Sequence, residues 1–216
     1  MSQPQILKVE EALNLLVGQA RSKVLPRVVT ISGGTCSGKT TFADRLAFRI
    51  RQAGLTAVII PFDAYFRDFD DPMLLNTDGK RIFDVPKAYW VSEFAINIVT
   101  LIKKGLPVQI PVYDIRTNKR QPQRQTVQPA DVIIAEGLFA GSSLRFLYED
   151  AMRIYMETPE EKCMERRVNR DSSLYSVSPE RVAASFIEKI HPYWHIHQQN
   201  EKTIAHIIVD DNKEGG

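Results

Sequence analysis

One eight-residue stretch constrains the fold of this chain more than any other part of the sequence. Residues 33–40 read Gly-Gly-Thr-Cys-Ser-Gly-Lys-Thr, which fits the Gly-x-x-x-x-Gly-Lys-Ser/Thr pattern of a phosphate-binding P-loop. The β-branched run at 28–32 predicts a buried strand before it, and residues 41–50 carry apolar side chains at helical spacing after it. Strand, loop and helix in this order are the context that the motif requires.

Each part of the loop has a chemical task in binding a nucleotide. Glycines let several backbone N–H groups point at one place, and the following helix directs the positive end of its dipole there. Lys39 is expected to reach the β- and γ-phosphates, and the Thr40 hydroxyl is expected to bind Mg²⁺. We predict that the nucleotide is bound by Gly33, Gly34, Thr35, Cys36, Ser37, Gly38, Lys39, Thr40 and Thr41.

Composition narrows the class of protein. The 216 residues suit one domain, 44% of them are apolar, and the net charge of +2 gives no reason to expect a nucleic-acid surface. No apolar run approaches the roughly 20 residues of a membrane span, and Glu10 and Glu11 interrupt any signal-peptide core. We therefore expect a cytoplasmic protein that acts on a small molecule, without nucleic-acid or membrane partners. The sequence leaves open whether the protein forms a homo-oligomer.

Alternating strand and helix signals predict an α/β fold, in which helices cover both faces of a parallel, P-loop NTPase-type sheet. The strands are predicted at 28–32, 56–60, 131–137, 152–157 and 204–209. An amphipathic helix is predicted over 6–21, in an N-terminal segment (1–25) ahead of a P-loop domain (26–212). Within that domain, 108–112 and 125–127 predict a small β-hairpin for substrate, and the segment at about 164–180 predicts a helical lid.

Two acids stand at predicted strand ends, where such sheets bind their ligands. Glu136 ends a buried run in the manner of a Walker-B acid, so we predict that it binds Mg²⁺. Asp63 follows the strand at 56–60, which we place beside the P-loop strand, and it is predicted to accept a proton from a substrate hydroxyl.

Arginines supply the third part of the predicted site. Arg166 lies four residues before Arg170, and Arg167 lies three before it, so they share a helix face in the predicted lid. Negative charge spreads over the phosphoryl oxygens during transfer, and a guanidinium brought close can stabilise it.

Six motifs together resemble the uridine kinase family, within the uridine kinase and phosphoribulokinase group. They occur in the order of that family, and the resemblance covers residues 28–210. They are the P-loop at 33–40, Phe-Asp-Ala-Tyr-Phe at 62–66, Phe-Asp-Val-Pro at 83–86, Ile-Pro-Val-Tyr-Asp at 110–114, Ile-Ala-Glu-Gly at 134–137 and Arg-Arg-Val-Asn-Arg-Asp at 166–171.

The resemblance implies ATP or GTP as phosphate donor, Mg²⁺, and a role for each matched residue. Asp63 would act as base toward a nucleoside 5′-hydroxyl, Asp84 would bind the ribose hydroxyls, and Tyr113 would pack against the base. Glu136 would serve the Mg²⁺. From the lid, Arg167 would reach the phosphates and Arg170 would lie near the sugar.

Three departures from the family affect the part that reads the acceptor. Asn118 stands where the family usually has a histidine that reads the pyrimidine, and its amide would bond a base edge differently. Residues 174–177 read Leu-Tyr-Ser-Val in place of Glu-Arg-Gly-Arg, and residues 85–90 read Val-Pro-Lys-Ala-Tyr-Trp in place of His-Pro-Asp-Ala-Phe-Asp. Because lost hydrogen-bond partners change the substrate of such a site, the acceptor is less defined than the kinase chemistry.

The main prediction is that the protein phosphorylates the 5′-hydroxyl of a nucleoside such as uridine or cytidine. One alternative is a phosphoribulokinase- or pantothenate-kinase-like enzyme that acts on another hydroxyl metabolite, with Arg67, Lys80 and Arg81 as cations for a charged acceptor. Another is a nucleotide-binding regulatory module, although residues 118–121 do not complete the Asn-Lys-x-Asp base reader of GTPase switches.

Three histidines fall on one predicted helix near the carboxyl end of the chain. His191 and His195 are four residues apart, so the pair could in principle hold a metal ion. Because no further ligand accompanies them in the sequence, we interpret these two and His197 as part of a packed aromatic and polar helix face.

Overall fold

A six-stranded parallel sheet forms the centre of the protein, in a computed structural model that describes residues 3–145 and 148–211. The strand order is β1–β8–β7–β2–β6–β3. The strands are β1 (Gln5–Lys8), β2 (Val28–Gly33), β3 (Ala57–Pro61), β6 (Val132–Glu136), β7 (Met152–Glu157) and β8 (Ile207–Asp210). The predicted α/β fold with a parallel sheet is confirmed. The predicted domain end at 212 and residues 1 and 2 of the N-terminal segment lie outside the described residues.

Helices cover both faces of this sheet because successive strand residues point to opposite sides. Val29 and Ile134 face a core built with α1 (Val9–Arg21) and α2 (Lys39–Gln52). The neighbouring Val28 and Ile133 face a second core that contains α3 (Val91–Val99) and α4 (Ala140–Leu144). The remaining α-helices of the described residues are α5 (Glu160–Tyr175), α6 (Pro179–Lys189) and α7 (His191–Thr203). Of these, α7 packs on β2 and on α4.

The predicted neighbour of the P-loop strand is wrong. β6 lies between β2 and β3, so that Glu136 has Ile31 on one side and Pro61 on the other. Strand order is set by pairing between distant segments, and the local pattern of the sequence carries no record of it. The consequence for the site is that Glu136 lies between the P-loop and the strand that leads to Asp63.

The N-terminal segment differs from the helix predicted over residues 6–21. Residues 5–8 form β1, an edge strand that pairs in parallel with β8, with Ile6 opposite Ile208. Four residues are too few for periodicity to reveal, and the partner strand lies at the other end of the chain. The helix that follows packs on the domain, with Leu13 and Leu16 fully buried.

A separate hairpin stands beside the sheet and is longer than predicted. β4 (Val108–Asp114) pairs antiparallel with β5 (Lys119–Val127) around a turn in which Asn118 has a φ of 52°. The turn is attached to the long loop that follows β3, because the Phe69 N–H donates to the Asn118 carbonyl at 2.9 Å. Within the described residues, the helices include none that is long and apolar enough to cross a membrane.

Candidate functional site

The loop between β2 and α2 forms an anion cradle. Gly38 has a φ of 90°, which a glycine adopts without strain, and α2 begins directly after it at Lys39. The buried Lys39 ammonium donates to the Gly34 carbonyl at 2.6 Å, and the Ser37 hydroxyl is buried without a partner among the described residues. A lysine folded over the loop and an unpaired hydroxyl inside it are groups that fit a bound phosphate chain.

Two side-chain oxygens that line the same cavity are joined by a hydrogen bond. The Thr40 hydroxyl donates to Glu136 Oε2 at 3.3 Å, and Glu136 is only 6% exposed. Burial, with the negative charge of Asp63, raises the pKa of Glu136 to about 7, against the lowering effect of the Lys39 charge. Hydroxyl and carboxylate oxygens suit a hard cation such as Mg²⁺, so these two residues fit the predicted metal.

Asp63 lies in the 3₁₀ turn Phe62–Tyr65, directly after β3. Its carboxylate faces the open cavity, and the Tyr89 hydroxyl approaches Asp63 Oδ1 at 3.5 Å. Desolvation by the surrounding protein raises the pKa of this carboxyl, and Asp84 adds to the rise, while the positive charge of Lys39 lowers the pKa. The residue is nevertheless exposed to the cavity, and a carboxylate of raised pKa is a stronger proton acceptor than one of ordinary pKa.

Two of the three arginines of α5 are held together by one buried acid, and the third, Arg166, pairs with Asp211 at 2.7 Å. Asp171 is 6% exposed and accepts from Arg167 Nε at 3.1 Å and from Arg170 Nε at 2.7 Å. Arg167 also donates to the Thr35 hydroxyl at 2.9 Å and to Asp84 Oδ1 at 3.4 Å. This one guanidinium therefore links the P-loop to the side of the cavity that carries Asp84.

Aromatic side chains line the other end of the cavity, whose volume is about 1120 Å³. Tyr113 lies 5.4 Å from Phe66 between ring centroids, and its buried hydroxyl has no partner among the described residues. Arg81 covers the Phe69 ring, with its guanidinium carbon 4.6 Å from the ring centroid. The volume exceeds the roughly 300–1,000 Å³ typical of pockets for one ligand, so a nucleotide and an acceptor can share it.

The structure brings nearly all of the predicted site residues to this one cavity. Its lining includes Thr35, Cys36, Ser37, Gly38, Lys39, Thr40, Thr41, Asp63, Asp84, Tyr113, Asn118, Glu136, Arg167 and Arg170. Gly33 and Gly34 are not among the lining residues. Gly34 instead allows close packing, because a Cβ there would lie 2.1 Å from the Trp194 ring.

Sequence reasoning missed several residues of the cavity, and it missed Tyr89, which contacts Asp63 but is not a lining residue. Asp171 could have been found, since its spacing of four residues from Arg167 is that of a helical ion pair. Arg81 was considered as a cation for a charged acceptor but not as a site residue. Tyr89 and Tyr175 gave no signal, because their contacts with Asp63 and with the Ile115 carbonyl at 3.0 Å join segments far apart in the chain.

The interpretation of the histidines is right for His197 and wrong for the other two. His197 packs edge-on against Phe139, with ring centroids 5.2 Å apart. His191 and His195 are not packed: their side chains are 54% and 80% exposed, and both lie beside Glu160 of α5. The carboxylate beside them, which the sequence did not reveal, comes from another helix.

Comparison with known proteins was made by sequence and by structure. Residues 28–214 match the sequence profile of the Phosphoribulokinase / Uridine kinase family. A uridine kinase from Leuconostoc citreum is 30% identical over 191 residues, which cover 88% of this chain and 89% of that protein. One from Latilactobacillus sakei is 28% identical over 200 residues, which cover 90% and 88% of the two chains.

Solved structures share the fold at lower identity. A protein from Silicibacter sp. TM1040, considered a candidate fructose transport system kinase, has a TM-score of 0.74 at 21% identity and covers 91% of this chain and 98% of its own. D-glycerate 3-kinase from Cryptococcus neoformans has a TM-score of 0.66 at 15% identity, with coverage of 95% and 96%. These likenesses establish the architecture and leave the substrate to the site itself.

Proposed function

This chain belongs to the Phosphoribulokinase / Uridine kinase family and is a kinase, and we propose that it transfers the γ-phosphate of ATP or GTP to the 5′-hydroxyl of a nucleoside such as uridine or cytidine. The observation that carries this proposal is the convergence of three groups on one cavity. They are the P-loop lysine, the joined Thr40 and Glu136 oxygens, and the Asp63 carboxylate. We also propose a cytoplasmic location for the protein, and its two cysteines, Cys36 and Cys163, are free thiols, as is usual in that compartment.

The donor end of the site would hold MgATP through its own polar groups. Lys39 would leave the Gly34 carbonyl and bind the β- and γ-phosphates, and the P-loop N–H groups would receive the remaining phosphate oxygens. Thr40 and Glu136 would hold Mg²⁺, which supplies neutralisation of the phosphate charge when bound. Arg167, already on Thr35, would stabilise charge on the phosphoryl group.

The acceptor end would orient one hydroxyl toward Asp63. Asp63 would accept its proton as the oxygen attacks phosphorus, and the raised pKa of this carboxyl favours that transfer. Asp84 would accept hydrogen bonds from the sugar hydroxyls. The Tyr113 ring would cover the base, and its unpaired hydroxyl and the Asn118 amide are available for polar groups of the acceptor.

A second candidate acceptor is an anionic hydroxyl metabolite, such as a sugar phosphate or a hydroxy acid. Arg81 favours it, because this cation lines the cavity. The two other cations predicted for this purpose do not support it. Arg67 pairs with Asp71 at 3.0 Å and stacks on Trp90, and Lys80 pairs with Glu188, so both are engaged away from the cavity.

A panel assay tests the proposal and separates it from its rivals. The purified protein is incubated with MgATP or MgGTP and one acceptor at a time. Mass spectrometry then detects whether the acceptor has gained one phosphate. The panel contains uridine, cytidine, adenosine, fructose, glycerate, pantothenate and ribulose 5-phosphate. Transfer to the pyrimidine nucleosides is expected, and transfer to anionic acceptors alone would select the second candidate. Nucleotide binding without transfer to any acceptor would favour the regulatory module.

A further inference from the structure

Three side chains from two helices converge on one point of the surface outside the cavity. Glu160 is the first residue of α5, His191 is the first residue of α7, and His195 follows one turn later. His191 Nδ1 lies 2.7 Å from Glu160 Oε1, and His195 Nε2 lies 3.9 Å from Glu160 Oε2. One ligand atom from each residue falls within 4.8 Å of the others.

These spacings are close to what a tetrahedral metal ion requires. With metal–ligand bonds of roughly 2.0–2.2 Å, two ligand atoms on tetrahedral zinc lie about 3.3–3.5 Å apart. The two observed separations, which run to different oxygens of Glu160, lie on either side of that value, and rotations of the exposed side chains can adjust them. A hydrogen bond explains the approach of His191, but at 3.9 Å it does not explain why His195 also approaches the same carboxylate.

The chemistry of the set selects the kind of ion. Two imidazoles and one carboxylate are the ligands of three-residue zinc sites, whereas Mg²⁺ prefers oxygen alone. The histidines are 54% and 80% exposed and Glu160 is 22% exposed, so an ion can enter from solvent and keep water as its fourth ligand. The set is thus chemically distinct from the oxygen pair of Thr40 and Glu136.

We propose that Glu160, His191 and His195 bind one Zn²⁺ ion, or a similar divalent transition metal ion, and so join α5 to α7. α7 carries Trp194, which lies against Gly34 of the P-loop, and α5 carries the arginines of the cavity. The ion would hold these two helices in the arrangement that the structure shows. It is a structural site, and its existence does not depend on which acceptor the kinase uses.

Calorimetric titration of the full chain with ZnCl₂ tests this proposal. The protein is prepared without a polyhistidine tag and with its cysteines reduced, and the buffer contains excess Mg²⁺ to occupy the oxygen site. One equivalent of Zn²⁺ is expected to bind, and at 100-fold excess over Kd it should raise Tm by about 5–10 °C. Co²⁺ should give the visible absorption of a tetrahedral site at the same stoichiometry.

Matched variants decide whether these residues are the ligands. His195→Ala and Glu160→Gln should each weaken Zn²⁺ binding at least 10-fold and remove the shift in Tm. The exposed neighbours serve as controls, so Asn200→Ala and Glu161→Gln should bind as the wild type does. A Cys36→Ser variant that still binds one equivalent shows that the thiol is not the ligand.

Binding that is absent in the wild type, unchanged in both ligand variants, or lost in the Cys36→Ser variant would overturn the proposal. Titration of a fluorescent ATP analogue in the same samples keeps this outcome separate from the kinase assignment. Failure to bind Zn²⁺ with normal nucleotide binding rejects the metal site alone.

Discussion

At the scale of single residues, Asp63 is the group on which the proposed chemistry depends. Replacing it with asparagine keeps its size and its contact with Tyr89 but removes the proton acceptor. We expect Asp63→Asn to lower kcat by about 10²–10⁴-fold while the affinity for ATP stays within a factor of three. Steady-state kinetics and titration with a fluorescent ATP analogue measure the two quantities. Asp70→Asn, at an exposed acid of the same loop, should leave both unchanged, and an unaffected kcat in Asp63→Asn would reject Asp63 as the base.

Glu136 connects the site to stability through its pKa. Its folded-state pKa of about 7 lies above the value of 4.5 for an exposed glutamate. The native state therefore binds more protons than the unfolded state between these values, and the contribution of Glu136 to stability falls as pH rises through that window. From these two pKa values, the fall between pH 5.5 and pH 8 is about 2 kcal/mol without Mg²⁺.

Glu136→Gln removes this titration and keeps the shape of the side chain. Relative to the wild type, the variant should gain about 2 kcal/mol more in unfolding free energy at pH 8 than at pH 5.5. Denaturant unfolding at both pH values, without Mg²⁺ or nucleotide, measures the difference. Glu165→Gln, at an exposed position of α5, serves as the control. An equal gain at both pH values would mean that Glu136 is already ionised at pH 5.5.

The residues that the sequence revealed and those that it did not differ in a physical way. Lys39, Asp63 and Glu136 stand at the ends of local patterns, a glycine-rich loop or an apolar run, which the chain order alone displays. Tyr89 meets Asp63 only because a turn 26 residues further along folds back on it. Contacts of that kind depend on packing, which no local pattern encodes.

At the scale of secondary-structure elements, α5 carries its arginines as a unit that Asp171 holds in place. Replacing this buried acid removes the contact that Arg167 and Arg170 share and leaves Arg167 with its contacts to Thr35 and Asp84. Asp171→Ala is expected to lower kcat about 10- to 100-fold, with a smaller effect on ATP affinity, because Asp171 acts through the arginines that it positions.

The same change in a neighbouring residue controls for the helix itself. Asn169 lies on an exposed face of α5, so the Asn169→Ala variant should retain the activity of the wild type. Asp171→Asn preserves shape and hydrogen-bond acceptance by its carbonyl oxygen, so it should recover part of the lost kcat. If Asp171→Ala lowered Tm sharply and Asn recovered stability without activity, the positioning role would be rejected in favour of a structural one.

The elements themselves divide into those with a local signature and those defined by pairing. The P-loop strand, its helix and the strand that ends at Glu136 could be read from periodicity because each is buried along its whole length or on one face. β1 could not, since its exposed residues become a strand only by pairing with β8. The position of β6 between β2 and β3 has the same cause, because register and strand order are set by pairing between strands and not by the sequence pattern of each strand.

At the scale of the whole molecule, the cavity, to which Asp63 is exposed, is partly closed by a contact between two parts that are distant in sequence. Tyr175, the last residue of α5, donates its hydroxyl to the Ile115 carbonyl in the turn between β4 and β5 at 3.0 Å. The P-loop side and the hairpin side of the cavity are thereby joined over the acceptor end. Opening this contact should release the acceptor more readily and leave the nucleotide in place.

Tyr175→Phe removes only the hydroxyl and so tests that closure. We expect KM for the acceptor to rise about 3- to 10-fold, in line with the loss of one hydrogen bond of about 1 kcal/mol, while KM for ATP changes less than twofold. Steady-state kinetics with each substrate varied in turn measure both constants. Tyr193→Phe, at a tyrosine of α7 that does not line the cavity, should alter neither. A parallel rise of both constants in Tyr175→Phe would point to a loosened molecule, and the acceptor-specific closure would then be rejected.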